Sequence, residues 1–158
     1  MPAMPNPSEP KIKEWVSFLA EIVGESDENT YFIGHSIGCQ TILRYLETLD
    51  NKKVGGAVFV APWFVLSDLE TEEEKIIGKP WIETPINFNK IKAITGNFVS
   101  IFSKDDPVVP LDKNVKLFKE KINSKIIIKR GGGHFSGGDG VTELLSALNS
   151  VLELAKNE

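Results

Sequence analysis

This sequence of 158 residues has little of what marks several common classes of protein. Its one cysteine, Cys39, excludes an internal disulfide and is not part of a Cys and His pattern typical of a metal site. No run approaches the roughly 18–20 apolar residues that cross a bilayer, and the first residues lack the regions of a signal peptide. The 18 basic and 22 acidic residues are interleaved, which excludes the basic surface of a nucleic-acid-binding protein. We therefore expect a cytoplasmic protein with neither membrane nor nucleic-acid partners.

What the sequence does contain is a regular alternation of short apolar runs and longer amphipathic stretches. Apolar runs typical of strands covered on both faces occur at residues 30–33, 54–61, 98–102 and 125–129. Helical spacing of apolar residues predicts helices at residues 11–23, 37–49, 69–77, 111–122 and 141–155. This order predicts an α/β protein, with a mostly parallel sheet of about four strands between helices on both faces. No repeat or linker divides residues 1–158, so we expect one domain.

The sequence Gly34-His35-Ser36-Ile37-Gly38 has the Gly-x-Ser-x-Gly pattern of a nucleophile elbow, and it joins a predicted strand to a predicted helix. A serine there lies on a sharp, strained turn, and we expect both glycines because a Cβ would collide with the strand and the helix. The start of the helix adds a positive dipole, so the N–H of Ile37 is the predicted oxyanion-hole donor. The alternative interpretation is a turn that merely tolerates glycine.

Two later loops carry a carboxylate and a histidine. Asp106 directly precedes a Pro-Val-Val-Pro turn after the third predicted strand, and for that reason we prefer it to Asp105 as the acid, although a simple turn aspartate is the alternative. His134 follows a glycine run after the fourth strand, and it is the free candidate base because His35 lies inside the elbow. The order Ser36, Asp106, His134 is that of the triad in α/β-hydrolases. The sequence therefore predicts a serine nucleophile with an Asp-oriented histidine.

Aromatic and apolar residues are concentrated in the irregular segment between the second and third predicted strands. They are Trp63, Phe64, Trp81 and Ile82. One interpretation is that they form the walls of an acyl pocket, since ligand pockets are lined mainly by such side chains. Packing over the sheet is the equally weighted alternative.

Several stretches of the chain resemble the small serine hydrolases typified by retinoblastoma-binding protein 9 and its bacterial relatives. These stretches are Met4-Pro5-Asn6-Pro7 with Pro10 and Trp15, the elbow with Cys39, Ala61-Pro62-Trp63-Phe64, Asp105-Asp106-Pro107-Val108-Val109-Pro110 and Gly132-Gly133-His134-Phe135. The resemblance implies an α/β-hydrolase-like three-layer sandwich in which Ser36, Asp106 and His134 are nucleophile, acid and base. It also implies hydrolysis of a small carboxylic ester through an acyl-enzyme, without a metal or other cofactor.

The resemblance includes one departure, at the beginning of the chain. Family members have a strand ending in His-Gly, a helix and a second strand before the Met-Pro-Asn-Pro segment, whereas this sequence starts there. We therefore expect the strand at residues 30–33 to be an exposed edge that favours self-association. The loop after the first family strand supplies a second oxyanion N–H, whose loss costs roughly a hundred- to a thousand-fold in rate. The domain over residues 1–158 is thus expected to be N-terminally short and its activity impaired.

Three functions are compatible with these sequence features. The first is a serine hydrolase of small esters, which the complete set of Ser36, Asp106 and His134 favours, because such polar groups are costly to keep unless they are fully hydrogen-bonded. The second is a catalytically weak or inactive hydrolase-like domain that binds a protein partner or ligand. The third is an acyltransferase or thioesterase with the same triad.

Overall fold

The computed structural model describes residues 2–50, 53–67, 69 and 71–156, which form four strands and six α-helices. In chain order these are α1 (Ile12–Val23), β1 (Tyr31–His35), α2 (Ile37–Thr48), β2 (Gly56–Val60), α3 (Glu72–Glu83), α4 (Phe88–Ile94), β3 (Phe98–Ser103), α5 (Leu111–Ile122), β4 (Lys125–Lys129) and α6 (Leu145–Lys156). A short 3-10 turn, Gly137–Asp139, precedes α6. Within these ranges no helix combines the length and the hydropathy needed to cross a bilayer.

The four strands form one sheet in the order β1-β2-β3-β4, and every neighbouring pair is parallel. Parallel neighbours require crossover connections, which α2, the pair α3 and α4, and α5 provide in turn. Side chains from α1, α2, α4 and α5 pack against one face of the sheet, around Phe59. Residues of α6 pack against the other face, around Val58. The predicted three-layer α/β sandwich is therefore confirmed.

Three helices differ from the sequence prediction, two of them in their bounds and one in not being predicted. The helix predicted at 69–77 begins after a capping box, in which Thr71 and Glu74 each bond the other's backbone N–H; residue 70 lies outside the described part. The same helix continues past Gly78 and Pro80 because Trp81 is buried, and tertiary burial outweighs low helix propensity. The short α4, capped by the Asn87 side chain, was not predicted.

The third difference concerns the last helix, which begins at Leu145 and not at residue 141. The chain before it is held in a compact turn, where the N–H of Val141 donates to the carbonyl of Ser136 over 3.1 Å. Gly140 ends that turn with φ 75°, a left-handed conformation that helical backbone does not use. A local hydrogen bond therefore delays the start of α6.

The β1 strand lies at one edge of the sheet, as predicted. Its Ile33 pairs in register with Val58, so it points toward the α6 face, yet it is 55% exposed. The prediction that this strand is covered on both faces is therefore wrong for Ile33. On the same side of the sheet, α6 leaves three leucines about half exposed, namely Leu145, Leu148 and Leu152. The α6 face is thus only partly covered by the described residues.

Candidate active site

The nucleophile-elbow sequence forms a tight turn between β1 and α2. Ser36 has φ 51° and ψ −121°, a strained conformation for a residue with a side chain, and its N–H donates to the carbonyl of Val60 over 2.9 Å. A Cβ at Gly34 would lie 2.7 Å from the Ile42 side chain and 2.9 Å from the backbone nitrogen of Cys39, which cannot move aside, so glycine is required there. The steric expectation is wrong for Gly38, where a Cβ would meet nothing within 4 Å. The close approach of β1 to α2 is therefore confined to the first glycine.

The three residues predicted as nucleophile, acid and base lie in one hydrogen-bonded row. Ser36 Oγ lies 2.8 Å from His134 Nε2, and His134 Nδ1 lies 2.9 Å from Asp106 Oδ2. Because a carboxylate accepts only, Nδ1 carries the proton toward Asp106 and Nε2 accepts from the Ser36 hydroxyl when the ring is neutral. The side chain of Asp106 is 2% exposed and that of His134 18%. The three residues follow β1, β3 and β4, so the row lies at the carboxyl end of the sheet.

The two neighbouring aspartates after β3 have different partners. Asp106 Oδ1 accepts from the N–H groups of Val108 and Val109, at 2.9 and 3.0 Å, which leaves Oδ2 for His134. Asp105 instead accepts from the Ser103 hydroxyl and from the Gly133 N–H. The hydrogen bond from Ser103 is the main reason that the pKa of Asp105 lies below its usual value. The geometry therefore favours Asp106 over Asp105, in agreement with the sequence argument.

A third carboxylate, which the sequence argument missed, supports the histidine loop. Asp139 Oδ2 accepts from the N–H of His134 at 3.2 Å and from both the N–H and the hydroxyl of Ser136 at 2.9 and 2.6 Å. The hydroxyl of Ser136 is the largest cause of the lowered pKa of Asp139. Gly133 has φ 53°, and a Cβ there would overlap the Asp139 carboxylate. The Ser136-x-x-Asp139 spacing, typical of a capping box, was the available signal.

The histidine of the elbow contacts the same loop. His35 Nε2 lies 2.7 Å from the backbone carbonyl of His134, and the two rings are 5.1 Å apart. Because a carbonyl accepts only, Nε2 of His35 carries the proton. This bond joins the end of β1 to a loop 99 residues later in the chain. From the sequence alone, His35 is predicted only as part of the elbow.

The predicted oxyanion donor, Ile37, is the first residue of α2. The N–H groups in the first turn of a helix have no acceptor within that helix, and the positive end of the helix dipole lies there. The N–H of Ile37 is therefore at the position from which it can donate to an oxyanion beside Ser36.

The four residues predicted to form an acyl pocket lie in two places. Trp63 is buried next to the nucleophile, with its indole Nε1 3.4 Å from Ser36 Oγ. Phe64, Trp81 and Ile82 line a cavity of about 390 Å³ whose walls include neither Trp63 nor the row of three. The four residues therefore do not line a single pocket.

No group of three or more His, Cys, Asp or Glu side chains in the described ranges is arranged to hold a metal ion. Cys39, the residue directly after the elbow, is fully buried, and burial raises the pKa of its thiol. The thiol is therefore not a competing nucleophile.

Comparisons with known proteins show the family of this chain. The family model described as "Serine hydrolase" matches residues 3–152. The chain belongs to this family. This serine hydrolase is 33% identical over 143 residues to YdeN of Bacillus subtilis, covering 89% of the chain and 72% of YdeN. It is also 30% identical over 149 residues to the serine hydrolase RBBP9 of Rattus norvegicus, covering 94% of the chain and 75% of that protein. The resemblance seen in the sequence is therefore confirmed.

Solved structures give the same result for the fold. The crystal structure of the ydeN gene product of B. subtilis superposes with a TM-score of 0.84 at 27% identity, covering 97% of this serine hydrolase and 80% of that chain. A monoacylglycerol lipase of Paleococcus ferrophilus superposes with a TM-score of 0.61 at 17% identity, covering 95% of this chain and 77% of the lipase. The second similarity shows the fold alone.

Proposed function

We propose that this serine hydrolase cleaves small carboxylic esters through an acyl-enzyme, with Ser36 as nucleophile, His134 as base and acid, and Asp106 as the orienting carboxylate. The observation that carries the proposal is the row of two hydrogen bonds, 2.8 Å from Ser36 Oγ to His134 Nε2 and 2.9 Å from His134 Nδ1 to Asp106 Oδ2. This is the geometry that general-base activation of a serine requires.

In the first half-reaction, Ser36 Oγ attacks the acyl carbon while its proton passes to His134 Nε2. The tetrahedral intermediate carries a negative charge on the former carbonyl oxygen, which accepts from the N–H of Ile37 at the positive end of α2. When the intermediate collapses, the ester C–O bond breaks and His134 gives its proton to the departing alkoxide. The products of this step are an alcohol and an ester of Ser36.

In the second half-reaction, water replaces the serine as nucleophile. His134 Nε2 takes a proton from water as the oxygen attacks the acyl carbon, and the same proton returns to Ser36 Oγ when the acid leaves. The positive charge that His134 carries in both steps faces Asp106, whose side chain is nearly closed to solvent. A carboxylate in such surroundings stabilises the imidazolium more strongly than one in water. The enzyme is thus regenerated without a cofactor.

The N–H of Ile37 is the oxyanion donor that the elbow supplies, and removing one such donor costs about a hundred- to a thousand-fold in rate. Of the four residues predicted to form the acyl pocket, we propose that only Trp63 contacts the acyl group. Its indole contacts Ser36 Oγ, whereas the other three predicted residues line a separate cavity.

The test is covalent labelling of the purified chain with a fluorophosphonate probe, which reacts only with an activated serine. We expect labelling of the native chain, none of Ser36→Ala and none of a heat-denatured sample. Ser17→Ala, at an exposed position of α1, is the matched control and should label normally. Hydrolysis of p-nitrophenyl acetate should fall roughly 10³- to 10⁶-fold in Ser36→Ala. Equal labelling of Ser36→Ala would refute the assignment of the nucleophile.

A second candidate function, favoured by a different observation, is a weakly active hydrolase-like domain that associates through the edge of the sheet. Ile33 on the edge strand β1 is exposed on the face of the sheet against which α6 packs, and Leu148 of α6 is exposed as well. Unpaired strand edges with apolar side chains favour association, and a second copy of this chain would extend the sheet. Sedimentation velocity at several concentrations tests this, since a monomer at every concentration contradicts it. No labelling from a folded sample would make this candidate the better one.

A further inference from the structure

The indole of Trp63 contacts the oxygen of the nucleophile through its one polar group. Its Nε1 lies 3.4 Å from Ser36 Oγ, and because an indole N–H can only donate, Oγ is the acceptor. The hydroxyl proton of Ser36 is directed to His134 Nε2, at 2.8 Å. Ser36 Oγ therefore donates to one neighbour and accepts from another, which leaves one lone pair for the acyl carbon.

Two buried amide side chains hold the backbone of the loop that carries Trp63. Gln40 Nε2 donates to the carbonyl of Trp63 at 2.6 Å. Asn114 Oδ1 accepts from the N–H groups of Phe64 and Val65 at 2.7 and 3.1 Å, and Asn114 Nδ2 donates to the carbonyl of Val65 at 2.8 Å. Gln40 and Asn114 are 1% and 0% exposed, so water does not compete for these hydrogen bonds. The position of the loop is thus fixed by buried polar contacts as well as by packing.

The chain enters this loop through a strained residue. Ala61 directly follows β2, and it has φ 45° although it carries a side chain. Such conformations persist only where the surrounding structure holds them, and they are concentrated at active sites. Strain at Ala61 and the amides of Gln40 and Asn114 together place the indole of Trp63 against Ser36.

The strength of Ser36 Oγ as an acceptor changes during the proposed reaction. In the acyl-enzyme, Oγ is the single-bonded oxygen of an ester and shares its lone pair with the carbonyl, so it accepts hydrogen bonds weakly. In the tetrahedral intermediate of deacylation this sharing is lost, and negative charge grows on Oγ as it leaves. Hydrogen bonds to a charged oxygen are shorter and stronger than those to a neutral one. A donor to Oγ therefore stabilises the transition state of deacylation more than the acyl-enzyme, which lowers the barrier.

We propose that Trp63 is a catalytic residue whose indole N–H assists the departure of Ser36 Oγ from the acyl group. This proposal rests on the proposed function, since it requires an acyl-enzyme at Ser36. The bond between Oγ and the acyl carbon breaks, its electron pair stays on Oγ, and His134 returns the proton, while the indole keeps its own proton. The separation of 3.4 Å is long for an N–H···O bond, and catalytic hydrogen bonds commonly shorten from the free enzyme to the transition state.

Acylation gains less from the same donor. In the free enzyme, the N–H of Trp63 already bonds to the hydroxyl oxygen of Ser36, which is a good acceptor before the attack begins. The free enzyme and the transition state of acylation are therefore stabilised to a similar extent, and such uniform binding does not raise the rate of the chemical step. The proposal thus predicts an unequal effect of Trp63 on the two half-reactions.

The hydrogen bond itself is tested by NMR of the ¹⁵N-labelled full chain. The chain has three tryptophans, and those other than Trp63, namely Trp15 and Trp81, donate to backbone carbonyls of prolines near the start of the chain. Ser36→Ala removes the acceptor of Trp63 alone. We expect the indole proton signal of Trp63 to move to lower chemical shift, while the other two indole signals stay in place. An unmoved Trp63 signal would overturn the proposal.

The catalytic role is tested by separating the two half-reactions with p-nitrophenyl acetate. Trp63→Phe keeps an aromatic ring but removes the N–H, so the deacylation rate constant should fall about tenfold and the acylation rate constant less than about threefold. Release of p-nitrophenol before the steady state measures acylation. The steady-state ratio of acetylated to free chain, from acid-quenched mass spectrometry, then gives deacylation, and this ratio should rise. Trp15→Phe, which also loses a buried indole donor, is the matched control and should leave both rate constants unchanged.

The outcomes separate this proposal from the proposed function. If the original chain is labelled by the fluorophosphonate probe but Trp63→Phe leaves the ratio unchanged or lowers it, only the role of Trp63 is refuted. An equal fall in both rate constants would also refute it, since loss of packing would explain that result. If the original chain is not labelled, the proposed function fails, and this proposal fails with it.

A second substitution applies if Trp63→Phe does not fold, as judged by its thermal unfolding. β-(3-Benzothienyl)alanine at position 63, introduced by nonsense suppression, has nearly the shape of tryptophan with sulfur in place of the N–H. It should give the same selective loss of deacylation. Deacylation at the original rate in this protein would overturn the proposal.

Discussion

The loops that carry Ser36, Asp106 and His134, here called the loop end, differ from the exposed apolar side chains on the α6 side of the sheet, here called the open edge. The open edge consists of Ile33 on β1 and of Leu145, Leu148 and Leu152 on α6. At the loop end, the reactive side chains and the loops that carry them are hydrogen-bonded to several partners. At the open edge, the four apolar side chains are between 48% and 65% exposed. The same sheet therefore carries one region rich in hydrogen bonds and another whose apolar side chains are largely exposed to solvent.

The difference comes from the range of the interactions involved. Polar groups in short loops find partners within a few residues, as Asp106 does with Val108 and as Asp139 does with Ser136. An apolar face, in contrast, is covered only when another whole element packs on it. We therefore expect substitutions at the loop end to change the chemistry, and substitutions at the open edge to change association.

The largest effect is expected when the carboxylate of Asp106 at the loop end is replaced. Asp106→Asn should lower the kcat for p-nitrophenyl acetate by roughly 10⁴-fold, because an amide in place of the carboxylate favours the wrong tautomer of His134. Asp105→Asn is the matched control, since Asp105 contacts Ser103 and Gly133 and not the imidazole. Steady-state kinetics of both variants measure the contrast. A larger loss in Asp105→Asn would exchange the two roles.

A smaller effect is expected at the elbow histidine, where the loop end depends on a contact between distant residues. His35→Phe removes the hydrogen bond to the His134 carbonyl, and the rate should fall about three- to tenfold, the value of one ordinary hydrogen bond. His35→Gln, which retains an N–H donor, should recover part of this loss. The measurement is kcat for the two variants. If kcat falls equally in His35→Phe and His35→Gln, the hydrogen bond donated by residue 35 does not position His134.

The acid sensitivity of the loop end provides a prediction on stability. The pKa of Asp139 is lowered, mainly by the Ser136 hydroxyl, so its ionised form stabilises the fold above the ordinary carboxyl pKa of about 3.9. This contribution is lost as the pH falls through the lowered pKa of the folded state. In Asp139→Asn, the thermal unfolding midpoint should therefore fall less between about pH 5 and pH 2. Parallel melting curves of the two proteins would contradict the prediction.

The smallest effect on activity is expected at the open edge. Ile33→Lys adds a charge to an exposed position of an edge strand, and such charges discourage pairing between chains. Self-association in sedimentation velocity should decrease, while the rate per active site stays within about twofold of the original. Unchanged association in Ile33→Lys would mean that the open edge is not the contact surface.

Much of the fold could be predicted because it depends on local patterns. Apolar runs and helical spacing identified the four strands and the helices other than α4, and the elbow placed Ser36 between β1 and α2. The helix α4 was missed because its seven residues are too few for a clear period. The limits of α3 were missed because burial of Trp81 carries the helix past Gly78 and Pro80.

The site was predicted where chain order and turn chemistry were sufficient. The order of Ser36, Asp106 and His134, together with the position of Asp106 before a proline turn, led to residues that the structure brings within hydrogen-bond distance of one another. The supporting contacts of His35 and Asp139 were not found, since a histidine in an elbow and an aspartate in a glycine-rich loop each have many ordinary roles.

By itself, the sequence determined the alternation of elements, the serine turn and the kind of side chain at each strand end, because these depend on spacing along the chain. Only the tertiary structure decided which groups meet. It joined His35 to the carbonyl of His134, separated Trp63 from the cavity of Phe64, Trp81 and Ile82, and left Ile33 exposed. The physical reason is that a hydrogen bond depends on atoms placed within about 3 Å, and for residues far apart in the chain this placement comes from packing.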